Sequence, residues 1–429
     1  MKKYEKYREV GLPWLKEVPE GWDVDKLKRK FYIDKDLSDT ENPVVLSLAR
    51  DGIKIRDITN NQGQMAASYK NYNKVEKGDL LLNPMDLYSG ANCNVSYVEG
   101  VISPAYIKLR KKEELCERYF DYWFKLQYTS LAFQAVGKGV SKDNRWTLTN
   151  ETLMNYQSPI PPLHEQEHIA NFLDWKISEI DRLIELEKEK IQRIKEYYDR
   201  LNESYFEEIE RNYDEIIKIR NFAKLQNGIS ESGAFFLKGK PFINYSDVFN
   251  NDVLPNQFEN VADSNKKQQE LFSVRKGDLF ITRTSETVED AASVCLCKET
   301  VNKAVFSGFL IRLRAFNSIF SDEFLLYYLK SMVVRNQIIS NLNIVTRVSV
   351  SQNLIKNINL KIVPSEVQES VVKNINKNNI NKNKIIELYI KNISYLEELK
   401  QILISDAVTG KIDVRNIEIP DYTHGKEEA

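Results

Sequence analysis

Cysteine and histidine are nearly absent from this chain, and neither sign of charge is in excess. There are four cysteines and three histidines in 429 residues. The thiols, at Cys93, Cys116, Cys295 and Cys297, are too few to staple a chain of this size with disulfides. Cys295 and Cys297 sit two apart, which at strand period puts both on one face. No second Cys/His pair lies near them to complete a zinc site, so they read as buried thiols. Long apolar runs are missing too, and none approaches the roughly 18 residues that a membrane span needs. The opening Met1-Lys2-Lys3-Tyr4 leads into charged residues, unlike a signal segment. The expectation is a soluble protein of a reducing, cytoplasmic compartment. Lys and Arg number 61 against 62 Asp and Glu, a formal net charge of -1. A nucleic-acid binder of this composition has to rely on local basic surfaces.

Signatures of catalysis are also lacking. A Walker loop needs Gly, four residues, then Gly-Lys-Ser/Thr. The nearest stretch, Gly233 to Lys240, has the wrong spacing and runs into Pro241. No Gly-x-Gly-x-x-Gly fingerprint occurs. Asn83-Pro84-Met85-Asp86 begins like the Asn/Asp-Pro-Pro-Tyr/Phe motif of DNA amino-methyltransferases, but it lacks the second Pro and the aromatic and reads as a turn. His164-Glu165-Gln166-Glu167-His168 formally matches His-Glu-x-x-His, yet no third zinc ligand is near.

What the chain does have is a repeat, with a spacing of about 200 residues. Val75-Glu76-Lys77-Gly78-Asp79-Leu80-Leu81 returns as Val274-Arg275-Lys276-Gly277-Asp278-Leu279-Phe280. Ile107-Lys108-Leu109-Arg110 returns as Ile311-Arg312-Leu313-Arg314, and aromatic-rich 119–124 is echoed by 324–329. Pro162-Leu163-His164-Glu165-Gln166 aligns with Pro364-Ser365-Glu366-Val367-Gln368, which replaces the histidines with Glu366 and Ser370. The order is the same in both halves. Each half reads as mixed α and β, with strands expected over 42–48 and 306–313. The Lys-Gly-Asp units read as turns entering a buried strand, Gly78 and Gly277 supplying backbone freedom.

A long helix follows each copy. Stepping by four and three from Leu173 gives Ile177, Ile180, Ile184, Glu187, Ile191, Ile194, Tyr198, Leu201 and Tyr205, a coiled-coil seam with one polar member. The second seam runs Ile375, Asn379, Lys382, Ile386, Tyr389, Ile393, Leu396, Lys400, Leu403 and Ala407, interrupted by Asn379, Lys382 and Lys400. Ser365 with Gln368 has the spacing of a capping box, and Gly410 is placed as a C-terminal cap. The fold expected is α+β: two related globules joined by two long antiparallel coiled-coil helices, an internal repeat about an approximate two-fold axis.

At this point a resemblance becomes specific. The segment 160–170 (Ile-Pro-Pro-Leu-His-Glu-Gln-Glu-His-Ile-Ala), with Leu173-Asp174 and the long helix, resembles the central conserved region of type I restriction-modification specificity subunits. Segment 403–415 is similar to the end of their distal conserved region, and 14–22 to their N-terminal segment. Gly78-Asp79-Leu80, Asn83-Pro84-Met85 and Ser103-Pro104-Ala105-Tyr106 resemble one recurrent class of target-recognition domain. The loss of the double proline at Val363-Pro364 departs from the pattern. The resemblance implies a first target-recognition domain within 1–158, a spacer helix in 159–210, a second recognition domain in 211–361, a second spacer helix in 362–410 and a tail, 411–429. It implies a non-catalytic subunit that reads a bipartite double-stranded DNA target and docks two methylation subunits and restriction subunits. Those partners would bring S-adenosylmethionine, ATP and Mg, leaving this chain without a cofactor, a metal or a membrane. The alternative is a coiled-coil scaffold with no DNA-reading role. For DNA contacts the candidates are polar, basic loops before each long helix: Lys138, Ser141, Lys142, Asn144 and Arg145 in the first half, Thr346, Arg347 and Ser349 in the second, with Arg283 beyond the second Lys-Gly-Asp unit.

Overall fold

The computed structural model describes residues 2–40, 42–49, 52–57, 68–85, 87, 93–139, 146–231, 233–344 and 348–420. The chain forms two compact units: Met1–Lys188 with Ile390–Ala429, and Glu189–Tyr389. Both divisions fall within long helices, so each unit takes part of each helix. This is a coarser partition than the five segments expected from sequence.

In the first unit, strands β1 (Phe31–Ile33), β2 (Leu80–Leu82), β3 (Cys93–Val95) and β4 (Ile107–Lys111) form an antiparallel sheet in the order β1-β4-β2-β3. In the second, β5 (Ala223–Asn227), β6 (Leu279–Thr282), β7 (Val294–Leu296) and β8 (Leu310–Ala315) repeat it as β5-β8-β6-β7. The middle strands β2 and β6 are buried along their whole length, so neither alternates apolar and polar residues. Against each sheet lies an aromatic helix, Glu117–Thr129 or Asp322–Lys330, burying Tyr119, Phe120, Trp123, Phe124 and Tyr128 in one case and Phe324 and Tyr328 in the other. A short strand before each sheet pairs with the strand that feeds each long helix: Asp23–Lys26 with Gln157–Ile160, and Ile216–Lys218 with Asn359–Lys361. The two units thus share one topology, and the repeat is internal to the chain.

Two strands differ from expectation. The strand expected over 42–48 is Leu46–Ala49, set by a hairpin with Gly52–Ile55. The single strand expected over 306–313 is two, Val305–Phe306 and β8, because Ser307-Gly308-Phe309 forms a turn between them.

The long helices span Leu163–Asn212, 50 residues, and Ser365–Val408, 44 residues. At 1.5 Å per residue the first is about 75 Å long. The described helices pair antiparallel in each unit. In the first unit, Lys400 meets Asp181 at 2.7 Å and Asn392 meets Glu187 at 3.4 Å. In the second, Lys190 lies over the Tyr389 ring, Lys382 meets Asp199 at 2.9 Å, and Asn379 accepts from Asn202. Every seam position named above is at least partly shielded: Leu173, Ile180, Ile184, Ile375, Leu403 and Ala407 are buried and the others intermediate. Ile177, Ile191, Ile194, Ile386, Ile393 and Leu396 belong to that intermediate set. The three polar interruptions are each answered across the seam. The Lys382 and Lys400 ammonium groups each reach a carboxylate, as their long stems allow.

The distal helix ends as expected at Gly410, whose φ is +73°. The Gly410 N–H donates to the Ala407 carbonyl and the Lys411 N–H to the Asp406 carbonyl, a Schellman closure. The N-terminal segment packs on this end. Trp22 is buried, Tyr7 donates to the Gly410 carbonyl at 3.0 Å, and Arg415 lies over the Tyr4 ring. Tyr4 in turn donates to Glu165, and His168 lies 2.8 Å from the Val414 carbonyl. Glu165 and His168 are therefore occupied in tying the helix start to both chain ends. Cys295 and Cys297 are buried in one apolar cluster, where burial pushes both thiols up to about 12.

Candidate nucleic-acid interface

The interface is assembled from two motifs that sequence reading kept apart. In each unit the Lys-Gly-Asp turn places Gly in the left-handed region, φ +92° at Gly78 and +85° at Gly277. The following Asp caps the turn: Asp79 accepts from the Glu76 N–H at 2.8 Å and Asp278 from the Arg275 N–H at 2.7 Å. Turn chemistry is only half of its role. Asp79 also binds Arg110 at 2.8 Å, and Asp278 binds Arg314 through two contacts of 2.6 Å. Each Asp is buried, and each Arg is the last residue of the repeated Ile-Lys/Arg-Leu-Arg motif. The turn before the middle strand is thereby clamped to the neighbouring strand.

The inner cations of that motif are buried and face inward. Lys108 pairs with Asp34 at 2.8 Å and donates to the Lys74 carbonyl. Burial works to raise the Asp34 carboxyl, but the hydrogen bond and charge of Lys108, with Arg110, outweigh it and hold the group below its ordinary range. Arg312 donates to the Ser273 carbonyl and the Gln226 side chain and lies 5.3 Å from the Phe306 ring. Its burial lowers the guanidinium to about 10. Neither cation reaches a surface where a phosphate could lie.

Beyond the clamped strands, each unit gathers the ends of its polar loop. In the first, the Pro84 carbonyl accepts from the Leu148 N–H at 2.9 Å, and Lys138 and Thr147 exchange backbone hydrogen bonds of 2.8 and 2.9 Å. Tyr128 of the aromatic helix donates to the Asn83 carbonyl and fixes the segment from below. In the second, the Arg283 carbonyl accepts from the Val350 N–H at 2.7 Å. There Thr284–Ser285, Val348–Ser349 and Asn343–Ile344 make a three-stranded sheet. The candidates Arg283 and Ser349, 66 positions apart, are brought to one corner. Lys138 and Ser349 are exposed. Arg283 is half-buried and its Nη1 donates to the Gly308 carbonyl at 2.8 Å. Ser141, Lys142, Asn144, Arg145, Thr346 and Arg347 lie outside the described residues.

Sequence reading missed a pair of glutamines. Gln368 does not close a capping box on its own helix. Its amide donates to the carbonyls of Ile319 and Val363, at 2.8 and 2.9 Å, and its Oε1 accepts from the Ser321 N–H that begins the aromatic helix. Gln166 does the same in the first unit, donating to the Pro161 carbonyl and accepting from the Cys116 N–H. The signal was present, since Gln is the one residue besides Pro that both copies of the motif keep in register. Gln368→Leu is expected to destabilise the second unit by about 1–3 kcal/mol, because it strands the buried Val363 carbonyl and leaves the partly buried Ile319 carbonyl and Ser321 N–H without their partner. A denaturant titration checks this, and a loss below about 0.5 kcal/mol would show the glutamine to be dispensable.

The sequence matches the family described as Type I restriction modification DNA specificity domain twice, over residues 20–196 and 210–393. The chain belongs to that family and is the DNA sequence-recognition subunit of a type I restriction-modification system. It is 23% identical to the type I restriction enzyme MjaVIII specificity subunit of Methanocaldococcus jannaschii, an alignment covering 97% of this chain and 98% of that one. Among solved structures it is similar, with a TM-score of 0.67 and 14% identity, to a chain from work on complex assembly and conformational transition of the type I R-M system. That match covers 92% of this chain and 99% of the other. The HsdS subunit from Thermoanaerobacter tengcongensis matches with a TM-score of 0.49 and 15% identity, over 92% and 98% of the two chains.

Proposed function

We propose that each unit reads one half of a split double-stranded DNA target, and that the paired helices act as the spacer between the two readings. The observation that carries this is the repeated corner: in both units the segment after a clamped Lys-Gly-Asp strand anchors the outgoing end of a polar loop whose two ends pair with each other. A scaffold without a DNA-reading role has no need for two such loops on one topology. Two methylation subunits dock along the helices, where apolar side chains off the seam are open to solvent. Leu183, Leu399 and Ile402 of the first unit and Leu388 of the second are 48%, 49%, 49% and 64% exposed. A docked subunit would cover these side chains. The partners supply S-adenosylmethionine for adenine methylation, and restriction subunits supply ATP- and Mg-dependent translocation and cleavage. The assembly works in the cytoplasm. Among the described residues, no helix is long and apolar enough to cross a membrane.

Co-expression with a methylation subunit, followed by mapping of methylated adenines, tests this reading. It predicts a target of two short specific parts around unspecified bases. A contiguous target, or no sequence-specific modification, would contradict it. Arg145→Ala or Arg347→Ala should weaken binding of the assembled complex by about 1–3 kcal/mol if the side chain grips a base edge. Unchanged affinity and preference in both variants would remove these loops from the interface.

A further inference from the structure

Phe309 stands at the tip of the turn between Val305–Phe306 and β8, with 61% of its surface exposed. The turn that carries it is fully tied down. The Ser307 hydroxyl accepts from the Phe309 N–H at 3.2 Å, and the Ser307 carbonyl accepts from the Leu310 N–H at 3.0 Å. The Gly308 N–H donates to the Ile229 carbonyl at 2.7 Å. A Cβ at position 308 would come within 2.1 Å of the Ser230 hydroxyl and 3.0 Å of the Ile229 carbonyl, so a larger residue would need the Ser230 side chain to turn away. Arg283 completes the clamp twice, its N–H donating to the Phe309 carbonyl at 2.9 Å and its Nη1 to the Gly308 carbonyl at 2.8 Å.

The ring shares its corner with the loop anchors. Arg283 leads directly into Thr284–Ser285, which pairs with Val348–Ser349 at the outgoing end of the polar loop. Phe309, Thr284 and Ser285 border an open groove of about 390 Å³ that is also lined by the stacked pair Tyr245 and Phe249 and by Glu286 and Asp290. The first unit builds the same turn: the Ser103 hydroxyl accepts from the Ala105 N–H at 3.3 Å and its carbonyl from the Tyr106 N–H at 3.1 Å. There the exposed tip is Pro104-Ala105. One scaffold thus presents different tip side chains in two domains that serve different half-sites.

We propose that Phe309 is a specificity-determining residue, its ring packing on the 5-methyl group of a thymine in the major groove of the second half-site, with Arg283 as the positioning residue that holds the turn. A phenyl ring offers no hydrogen bond, and the thymine methyl is the apolar mark that the major groove displays. The inference rests on the DNA-recognition reading above and adds a base-contacting residue to it.

The test uses the full chain assembled with its methylation subunit. Once the target is mapped, duplexes are made with each thymine of the second half-site replaced singly by deoxyuridine, which removes only the methyl group. With the unaltered chain, one such replacement should weaken binding about fourfold, the equivalent of one buried methyl-sized group at about 0.8 kcal/mol. Phe309→Ala should bind the thymine and deoxyuridine duplexes alike, and Phe309→Leu should restore part of the difference. If no thymine in the second half-site matters, or if Phe309→Ala keeps the full dependence, the proposal is overturned. A complex that shows no sequence preference at all would instead sink the DNA-recognition reading itself.

Discussion

Replacing Arg314 with Met is expected to lower the stability of the second unit by about 3–5 kcal/mol, the cost of removing one partner from a buried ion pair. Asp278 is 1% exposed at its side chain and is bound by Arg314 through two hydrogen bonds. Without the guanidinium its charge stays in the interior with, among the described residues, only the Arg275 N–H as donor. Arg312, another cation nearby, is held by the Ser273 carbonyl and Gln226. Because the same Asp fixes the turn into β6, the loss should spread to the loop corner that β6 supports. Removing both charges with Asp278→Leu and Arg314→Met should recover much of the loss, since two apolar side chains leave no unpaired charge. Denaturant unfolding of both variants measures this. A single variant within about 1 kcal/mol of the parent would mean that the clamp is ornamental.

The second large effect concerns spacing. Seven residues inserted after Ile184 in the first long helix, with seven after Ile386 in the second, keep both seams in heptad register. Each helix grows by roughly 10 Å. The proposed spacer role predicts that the complex stops modifying its original target and modifies instead one with the same specific bases and a longer unspecified stretch. The insertion leaves every side chain of the two sheets untouched, so an altered preference for the specific bases would point to distortion of the readers. Unaltered modification of the original target would dismiss the helices as a spacer.

The sequence carried these features unevenly, for physical reasons. Helical seams are local, and a 3.5-residue period over ten positions from Leu173 to Tyr205 identifies a helix without any knowledge of its partner. The repeat was legible because both copies keep short motifs in order. What those motifs do was not. Asp79 and Arg110 were seen as two separate echoes, since pairing across 31 residues of sheet leaves no periodic trace. Gln368 was assigned to its own helix because the spacing from Ser365 suits a capping box, whereas its amide reaches the start of the aromatic helix 47 positions earlier. Strand limits failed where a turn decides them: Ser307-Gly308 looks like continuous strand until the Ile229 and Arg283 contacts bend it. Arg283 was legible as a candidate cation beyond the second Lys-Gly-Asp unit, and only the geometry shows that its backbone N–H and its Nη1 hold the Phe309 turn.

The most direct test of the account is an exchange of one reader. Replacing residues of about 20–155 with the corresponding domain of another specificity subunit, and mapping methylated adenines in cells that carry the methylation subunit, reads both half-sites in one measurement. Two units of the same topology, each with its own clamped corner, predict that one half-site changes, the other is kept, and the spacer length stays as it was. A target rewritten in both halves, or one left unchanged, would contradict two independent readers in one chain.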